Sequence, residues 1–343
     1  MAGNEPSTLP TEAPSRKRPR TESDSTDEPK EAFSRDEKFW YEDGNIVIVA
    51  QNIGFRVYKG LLGTHSDLFR DMFSLPQPVP DVGDEYPVVH VTDTAAELRS
   101  LLAALSPKQF SPCRFLELDD LANCIRLAHK YSIKPLLQDY LEELERYFPD
   151  TLDAWEKRVQ LMNPALAYAI VAVNLARLTD TLSLLPAALY LCCQLEPNQL
   201  LEGYVRSDGT ADTLSPDDVE RCIGARSKLC SLYVLSLLKS TFVPIMANNE
   251  CLGPGGRCNT SIHSIITRCI GDSIEAGEGD ALLSWDKLIR SYEAKKQPRS
   301  QYPLCAFCVK VLLRRERRRR IDLWSELPTL LGLEKGDEDN SDA

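Results

Sequence analysis

A short apolar run follows Asn45. Ile46-Val47-Ile48-Val49-Ala50 is almost entirely β-branched, the pattern of a strand covered on both faces. Gln51-Asn52-Ile53-Gly54 supplies turn residues, and Phe55-Arg56-Val57-Tyr58-Lys59 then alternates in and out, so the two runs predict a hairpin. At Gly60 the period lengthens. Leu61, Leu62, His65, Leu68, Phe69, Met72 and Phe73 recur at the spacing of one helical face, and Ser66 is placed to cap a second helical segment within that stretch. Leu75-Pro76-Gln77-Pro78-Val79-Pro80 ends it, because proline has no N–H to continue the ladder.

Pro87-Val88-Val89-His90-Val91 predicts a third strand, and Thr92-Asp93 a cap for the helix carrying Leu98, Leu101, Leu102 and Leu105. Leu121, Cys124, Ile125, Leu127 and Ala128 mark a further helix, and Ile133, Leu137, Tyr140, Leu141, Leu144 and Phe148 the next. From Trp155 onward the pattern is helical throughout. Asn163-Pro164 introduces Leu166, Ile170, Val173 and Leu178, and Ser215-Pro216-Asp217-Asp218 introduces Val219, Ile223 and Leu229, with two acids where the helix dipole favours them. Later helices are expected at Leu232 to Phe242, Ser261 to Ile270, Ala281 to Glu293 and Ala306 to Leu323. No length-matched repeat supports a solenoid. The expected class is α+β, a small sheet with helices over residues 36–150 followed by an irregular, mostly α-helical domain over 151–333.

Composition adds the ends. Residues 1–35 carry almost none of the large apolar side chains that offset ordering entropy and are expected to be a disordered tail; residues 334–343 form an acidic one. Within the first, Arg16, Lys17, Arg18 and Arg20 fit the short basic pattern of a nuclear import signal, and equally a solvated basic tail. The chain of 343 residues has a formal charge of −11, a field that repels phosphates at long range and argues against coating nucleic acid or an anionic membrane. No run reaches the ~18 apolar residues of a membrane span, and the N-terminus lacks the apolar core of a signal peptide. Nuclear or cytoplasmic residence is therefore expected, with the eleven cysteines reduced.

Asp43-Gly44-Asn45-Ile46-Val47-Ile48-Val49, followed by Phe55-x-Val57-Tyr58-Lys59-x-x-Leu62-x-x-x-Ser66-x-x-Phe69-x-x-Met72-Phe73, resembles the BTB/POZ family in its first strands and the helical hairpin after them. Pro87 to Asp93 and the Leu121 to His129 run, with Lys130-Tyr131, fit the same pattern, over about residues 36–150. The family usually has histidine at the position of Tyr58, and an aromatic-rich turn where this chain has Leu105-Ser106-Pro107-Lys108-Gln109-Phe110. Leu184 to Cys193 and Leu214 to Val219 resemble segments of BTB proteins in large fungal families. The resemblance implies dimerisation and partner docking, in some members for transcriptional regulation and in others for delivering substrates to cullin ubiquitin ligases. It places Phe39, Trp40, Leu61, Leu62 and Phe69 at the dimer surface of a homodimer or BTB heterodimer, although apolar residues at helical spacing also read as intramolecular core.

Two cysteine pairs stand out. Cys251 and Cys258 flank a glycine-rich loop, and Cys305 and Cys308 lie where a loop enters a helix. Four thiolates suit tetrahedral structural zinc, while the six-residue gap of the first pair is wider than usual and the same residues also read as unligated thiols. Cys269 and His263 are alternative ligands; Cys192-Cys193 read as packing. Nothing around Cys305 and Cys308 has the strand and helix order of a thioredoxin-like redox pair.

His65, His90, His129 and His263 read as structural residues, and no phosphate loop, dinucleotide fingerprint, zinc-protease helix or nucleophile elbow is present, so no enzyme activity is expected. Arg314 to Arg320, interrupted only by Glu316, is either a phosphate- or acid-binding surface or a set of arginine stems covering a core and pairing with acids. The leading expectation is a BTB dimer that scaffolds or regulates partners; the alternatives are a cullin substrate adaptor and a zinc-dependent nucleic-acid binder.

Overall fold

The computed structural model describes residues 33–75, 86–106, 117–160, 165–245, 251, 257–276, 280–293 and 303–333. The basic cluster Arg16, Lys17, Arg18 and Arg20, the prolines from Pro76 to Pro80, the Asn163-Pro164 cap and the acidic tail lie outside them.

The apolar run forms β2 (Ile46–Ala50), antiparallel to β3 (Ile53–Val57) in the register Ile46 to Val57 and Ala50 to Ile53. Gln51 and Asn52 both take positive φ, 48° and 62°, which closes the hairpin in two residues with a twist that suits its strands. β4 (Val88–His90) lies parallel to β2. A fourth strand, β1 (Ser34–Trp40), pairs parallel with β3 and completes the order β1-β3-β2-β4. It extends order two residues into the tail expected to be disordered. Its sequence hides it, because its inward positions include Asp36, whose buried carboxylate accepts from the Lys38 and Phe39 amides and pairs with Arg99 at 2.6 Å.

Helices α1 (Lys59–His65) and α2 (Asp67–Ser74) follow. Ser66 divides them as expected. Its hydroxyl accepts from the Phe69 amide at 3.1 Å and donates to the Tyr131 carbonyl at 2.6 Å, so one side chain caps α2 and ties it to a distant helix end. The cap of α3 (Ala95–Leu105) is Thr94 rather than Thr92 or Asp93. Thr94 accepts from the Glu97 amide while Glu97 accepts from the Thr94 amide, a reciprocal capping box. Asp93 instead turns inward, accepting from Tyr131 and Lys130.

Helices α4 (Leu118–Lys130) and α5 (Lys134–Glu145) serve two cores. Leu127 and Ala128 face a first core with Phe55, Leu62, Phe69 and Leu98, whereas Leu121, Cys124 and Ile125 face a second built by the helices that follow. A boundary at residue 150 therefore cuts the sequence where the packing is continuous. The second core gathers α6 (Leu152–Trp155), α7 (Tyr168–Leu178), α8 (Leu185–Cys192), α9 (Pro197–Glu202), α10 (Pro216–Ser236), α11 (Arg257–Ala276), α12 (Asp286–Ser291) and α13 (Ala306–Leu330). The stripe that α10 buries runs through Asp218, Cys222, Ala225, Leu229 and Tyr233; Ile223, expected on it, is exposed. The helix expected over Ala281 to Glu293 shrinks to α12, and those expected from Ser261 and up to Leu323 extend to Arg257 and Leu330.

A short hairpin, β5 (Tyr204–Val205) with β6 (Ala211–Asp212), straps the helical part to the first. Asp212 accepts both oxygens' worth of bonds from Arg126 at 2.9 Å and pairs with Arg206 at 2.9 Å; Arg206 reaches Glu97 at 3.3 Å, and Tyr204 donates to Asp119 at 2.9 Å. These charges sit in mutual contact, which offsets the cost of removing them from water. Among the described residues no helix is long and apolar enough to cross a membrane.

Candidate metal centre

The two cysteine pairs converge. Cys251, Cys258, Cys305 and Cys308 place their Sγ atoms within 4.8 Å of one another, and the Cys308 to Cys251 separation is 3.5 Å. A tetrahedron with metal–sulfur bonds of about 2.3 Å sets its sulfurs roughly 3.8 Å apart, so the cluster has the dimensions of a four-sulfur site. Cys258 and Cys308 are buried, and Cys251 and Cys305 half-buried.

Helix starts position three of the four. Cys258 is the second residue of α11; Cys305 is the N-cap of α13, and Cys308 lies in that helix's first turn. The positive ends of both helix dipoles point toward the sulfurs, a field that favours thiolates. The Cys305 amide also donates to the Cys258 Sγ at 3.5 Å, an outer hydrogen bond of the kind that orients a ligand. The approach to Cys305 is fixed in turn, since the Leu304 amide donates to the Tyr292 carbonyl at 2.7 Å.

Without a cation the site resists charging. Burial pushes the Cys308 thiol up, and its hydrogen bond to Cys251 adds to the effect; burial likewise raises Cys258. Four adjacent thiolates become favourable only with a positive ion among them, so the donor set suits a thiophilic divalent metal. The glycine-rich part of the loop between Cys251 and Cys258 lies outside the described residues. Neither His263, which is exposed, nor Cys269 joins the group. Cys192 and Cys193 are buried in the second core, where desolvation pushes the Cys192 thiol well up, as packing residues should be.

The residues expected at a dimer surface divide. Phe39, Leu62 and Phe69 are 3%, 0% and 0% exposed within a single chain, a correction to their assignment: they are first-core residues, and Phe69 stacks on Tyr131 with ring centroids 4.2 Å apart. Trp40 and Leu61 are half-buried, and Leu68, expected on the inner stripe, is 45% exposed. Tyr58, the departure from the family's histidine, stacks on Tyr41 at 5.3 Å and donates to Asp43 at 2.5 Å, closing the end of the hairpin. His90, His129 and His263 are exposed, and His65 is half-buried in the last turn of α1.

The arginine run on α13 separates by face. Glu316, Arg319 and Arg320 are buried, on one stripe with Leu312, Leu323 and Leu327. Arg320 pairs with Glu316 at 2.6 Å and with Glu156; Arg319 donates to the carbonyls of Ala281 and Leu283; Glu316 also accepts from the Trp285 amide at 3.3 Å. Arg317 bonds Asp153 at 2.6 Å and Glu156 at 3.0 Å. Most of the run thus pairs with acids or carbonyls. Of the two readings of this run, that of stems covering a core and pairing with acids describes Arg319 and Arg320, and a lone Glu at three and four residues before two arginines is the cluster's signature. No family model, curated protein or solved structure matches this chain.

Proposed function

We propose that the chain is a non-enzymatic protein-interaction scaffold: a BTB-like N-terminal unit that self-associates, joined to a helical unit whose last helices are clipped together by structural zinc. The observation that carries the zinc half is the meeting of four sulfurs at tetrahedral spacing, contributed by Cys251 and by the first turns of two helices far apart in sequence. Bound there, the ion would close no reaction site; all four positions belong to protein sulfurs, the pattern of structural rather than catalytic zinc.

The BTB-like half is supported by element order: hairpin, helical pair, strand, then helices, with the motif residues in the expected elements. The face left for a second copy is the outer side of α1 and α2, where Leu61 is half-buried and Leu68 exposed. Light-scattering mass and metal content measured on one full-length sample test both halves. A dimer with one zinc per chain is the expected result. A monomer would overturn self-association, and protein purified without chelator yet free of metal, and unable to take up zinc, would overturn the clip.

A further inference from the structure

A cleft of about 1070 Å³ opens between the end of α6, the turn that leads into α12, and α13. Its floor is apolar, with Trp155 and Leu282 buried, and Leu283 and Ile321 reach its mouth at 43% and 42% exposure. Its rim is cationic, although the whole chain carries −11.

The acids that line the cleft are already engaged. Glu156 holds Arg317 and Arg320; Glu316 holds Arg320; Asp286 holds Arg290 at 2.6 Å. Asp280 accepts from the Tyr190 hydroxyl and the Leu282 amide. Three lining cations remain without a carboxylate in ion-pair contact among the described residues: Arg158, Lys287 and Arg314. Arg158 is the most informative. Its guanidinium lies 3.4 Å over the Trp155 ring and donates a hydrogen bond, at 2.9 Å, to the Trp155 carbonyl. Burial holds this guanidinium below the usual arginine range, with Asp280 opposing the shift. A half-buried cation, held flat against an aromatic ring and turned to a cleft, is already part-desolvated and ordered, which reduces the entropic and desolvation cost of meeting an anion.

We propose that this cleft binds an acidic, partly apolar peptide segment of a partner protein. Carboxylates of the peptide meet Arg158, Lys287 and Arg314, and an apolar side chain covers Leu282 between Leu283 and Ile321. Charge complementarity decides the class. An anionic surface would be repelled by the net charge of the chain, whereas a short acidic segment senses mainly the charges within about 8 Å of it at physiological salt. The volume stands just above the usual range of small-ligand sites and the mouth is wide, which favours an extended peptide over an enclosed small anion. The surface lies on the helical unit and is independent of BTB-like self-association.

The test is fluorescence anisotropy on the full-length protein with a short labelled peptide of alternating glutamate and leucine, and the lysine–leucine peptide as its counterpart. Lys287→Glu/Arg314→Glu reverses two exposed cations, and Lys134→Glu/Lys228→Glu makes the same change of net charge elsewhere on the surface. The glutamate peptide is expected to bind and to weaken with salt; the cleft variant should lose roughly tenfold or more in affinity while the control stays within about twofold. Arg158→Gln should weaken binding with the protein still folded by circular dichroism. Absence of binding, equal loss in the two charge-reversed proteins, equal binding of the lysine peptide, or displacement by inorganic phosphate at concentrations matching the peptide's own Kd would each overturn the proposal.

Discussion

The first hundred or so described residues and the last third of the chain bury cores of similar character, yet different devices align their elements. Between Ser34 and Glu145, the starts and turns of strands and helices are set by local bonds: a two-residue hairpin, the Ser66 cap and the Thr94 and Glu97 box. Between Cys251 and Leu333, α11, α12 and α13 meet through groups distant in sequence, four sulfurs at one end of α13 and, midway along it, the bonds of Glu316 to the Trp285 amide and of Arg319 to the Ala281 and Leu283 carbonyls. Apolar burial supplies attraction in both regions but little direction. In the first region turns and caps fix direction locally, and Asp36 with Arg99 and both Ser66 and Asp93 with Tyr131 add longer ties; where helices come from separate stretches, cross-links between side chains set their mutual position.

The sharpest way to break this contrast is to remove one sulfur. Apparent binding energies for structural zinc are about 10–16 kcal/mol, so on the proposed zinc clip loss of the site should exceed any other single change in the molecule. Cys308→Ser is expected to abolish zinc retention and to raise amide hydrogen exchange through α11, α12 and the start of α13, while β2, β3 and α4 keep their protection. Chelation of the unaltered protein should reproduce the pattern. Uniform loss of protection along the whole chain would show that the two regions unfold as one unit, and an unchanged exchange map would remove the cross-link from the account.

A smaller effect is expected from Glu316→Gln. Glu316 is 2% exposed, accepts from the Trp285 amide and neutralises Arg320 in a site where Arg319 is also buried. The amide keeps the shape but leaves the two guanidinium groups with less compensation, a change that typically costs about 3–5 kcal/mol. The urea midpoint should fall accordingly, and Glu316→Gln/Arg320→Gln should recover part of the loss. A midpoint within experimental error of the parent would mean that the apolar stripe alone holds α13 in place.

The same contrast explains what could be read from the sequence. Ile46 to Ala50, the helical period after Gly60 and Ser66 were legible because apolar periodicity and local capping are written in neighbouring residues. β1 was not, since a buried Asp36 replaces an apolar position and its partner, Arg99, lies on another helix. The stripe on α13 stayed one of two alternatives for a related reason. Between Leu312 and Leu323 it passes through Glu316, Arg319 and Arg320, so the period continues in charges that appear solvent-facing until their partners are known. The four sulfurs were recognisable as two pairs, but only the fold, which sets the start of α11 beside the start of α13, brings them together. Leu62 and Phe69 show the opposite case: their spacing signalled burial correctly, and spacing cannot tell the interior of one chain from the contact between two.

The smallest of these effects should come from the Thr94 cap. The Thr94 hydroxyl satisfies the Glu97 amide, and the Glu97 carboxylate returns the bond while its other oxygen reaches Arg206 of the strap. Thr94→Ala removes one acceptor at a helix start and leaves the carboxylate in place, a loss of about 1 kcal/mol for an N-cap. The expected result is a modest fall in the urea midpoint, with faster exchange confined to the first turn of α3 and almost complete recovery in Thr94→Ser. Because Glu97 also serves the strap, exchange at β5 and β6 is the informative second readout. If it rises along with α3, the cap and the strap are one cooperative unit, and local bonds position the helical region as well as the first. If it stays at the parental level while α3 frays, the division between local capping and long-range cross-linking holds at the residue where the two devices touch.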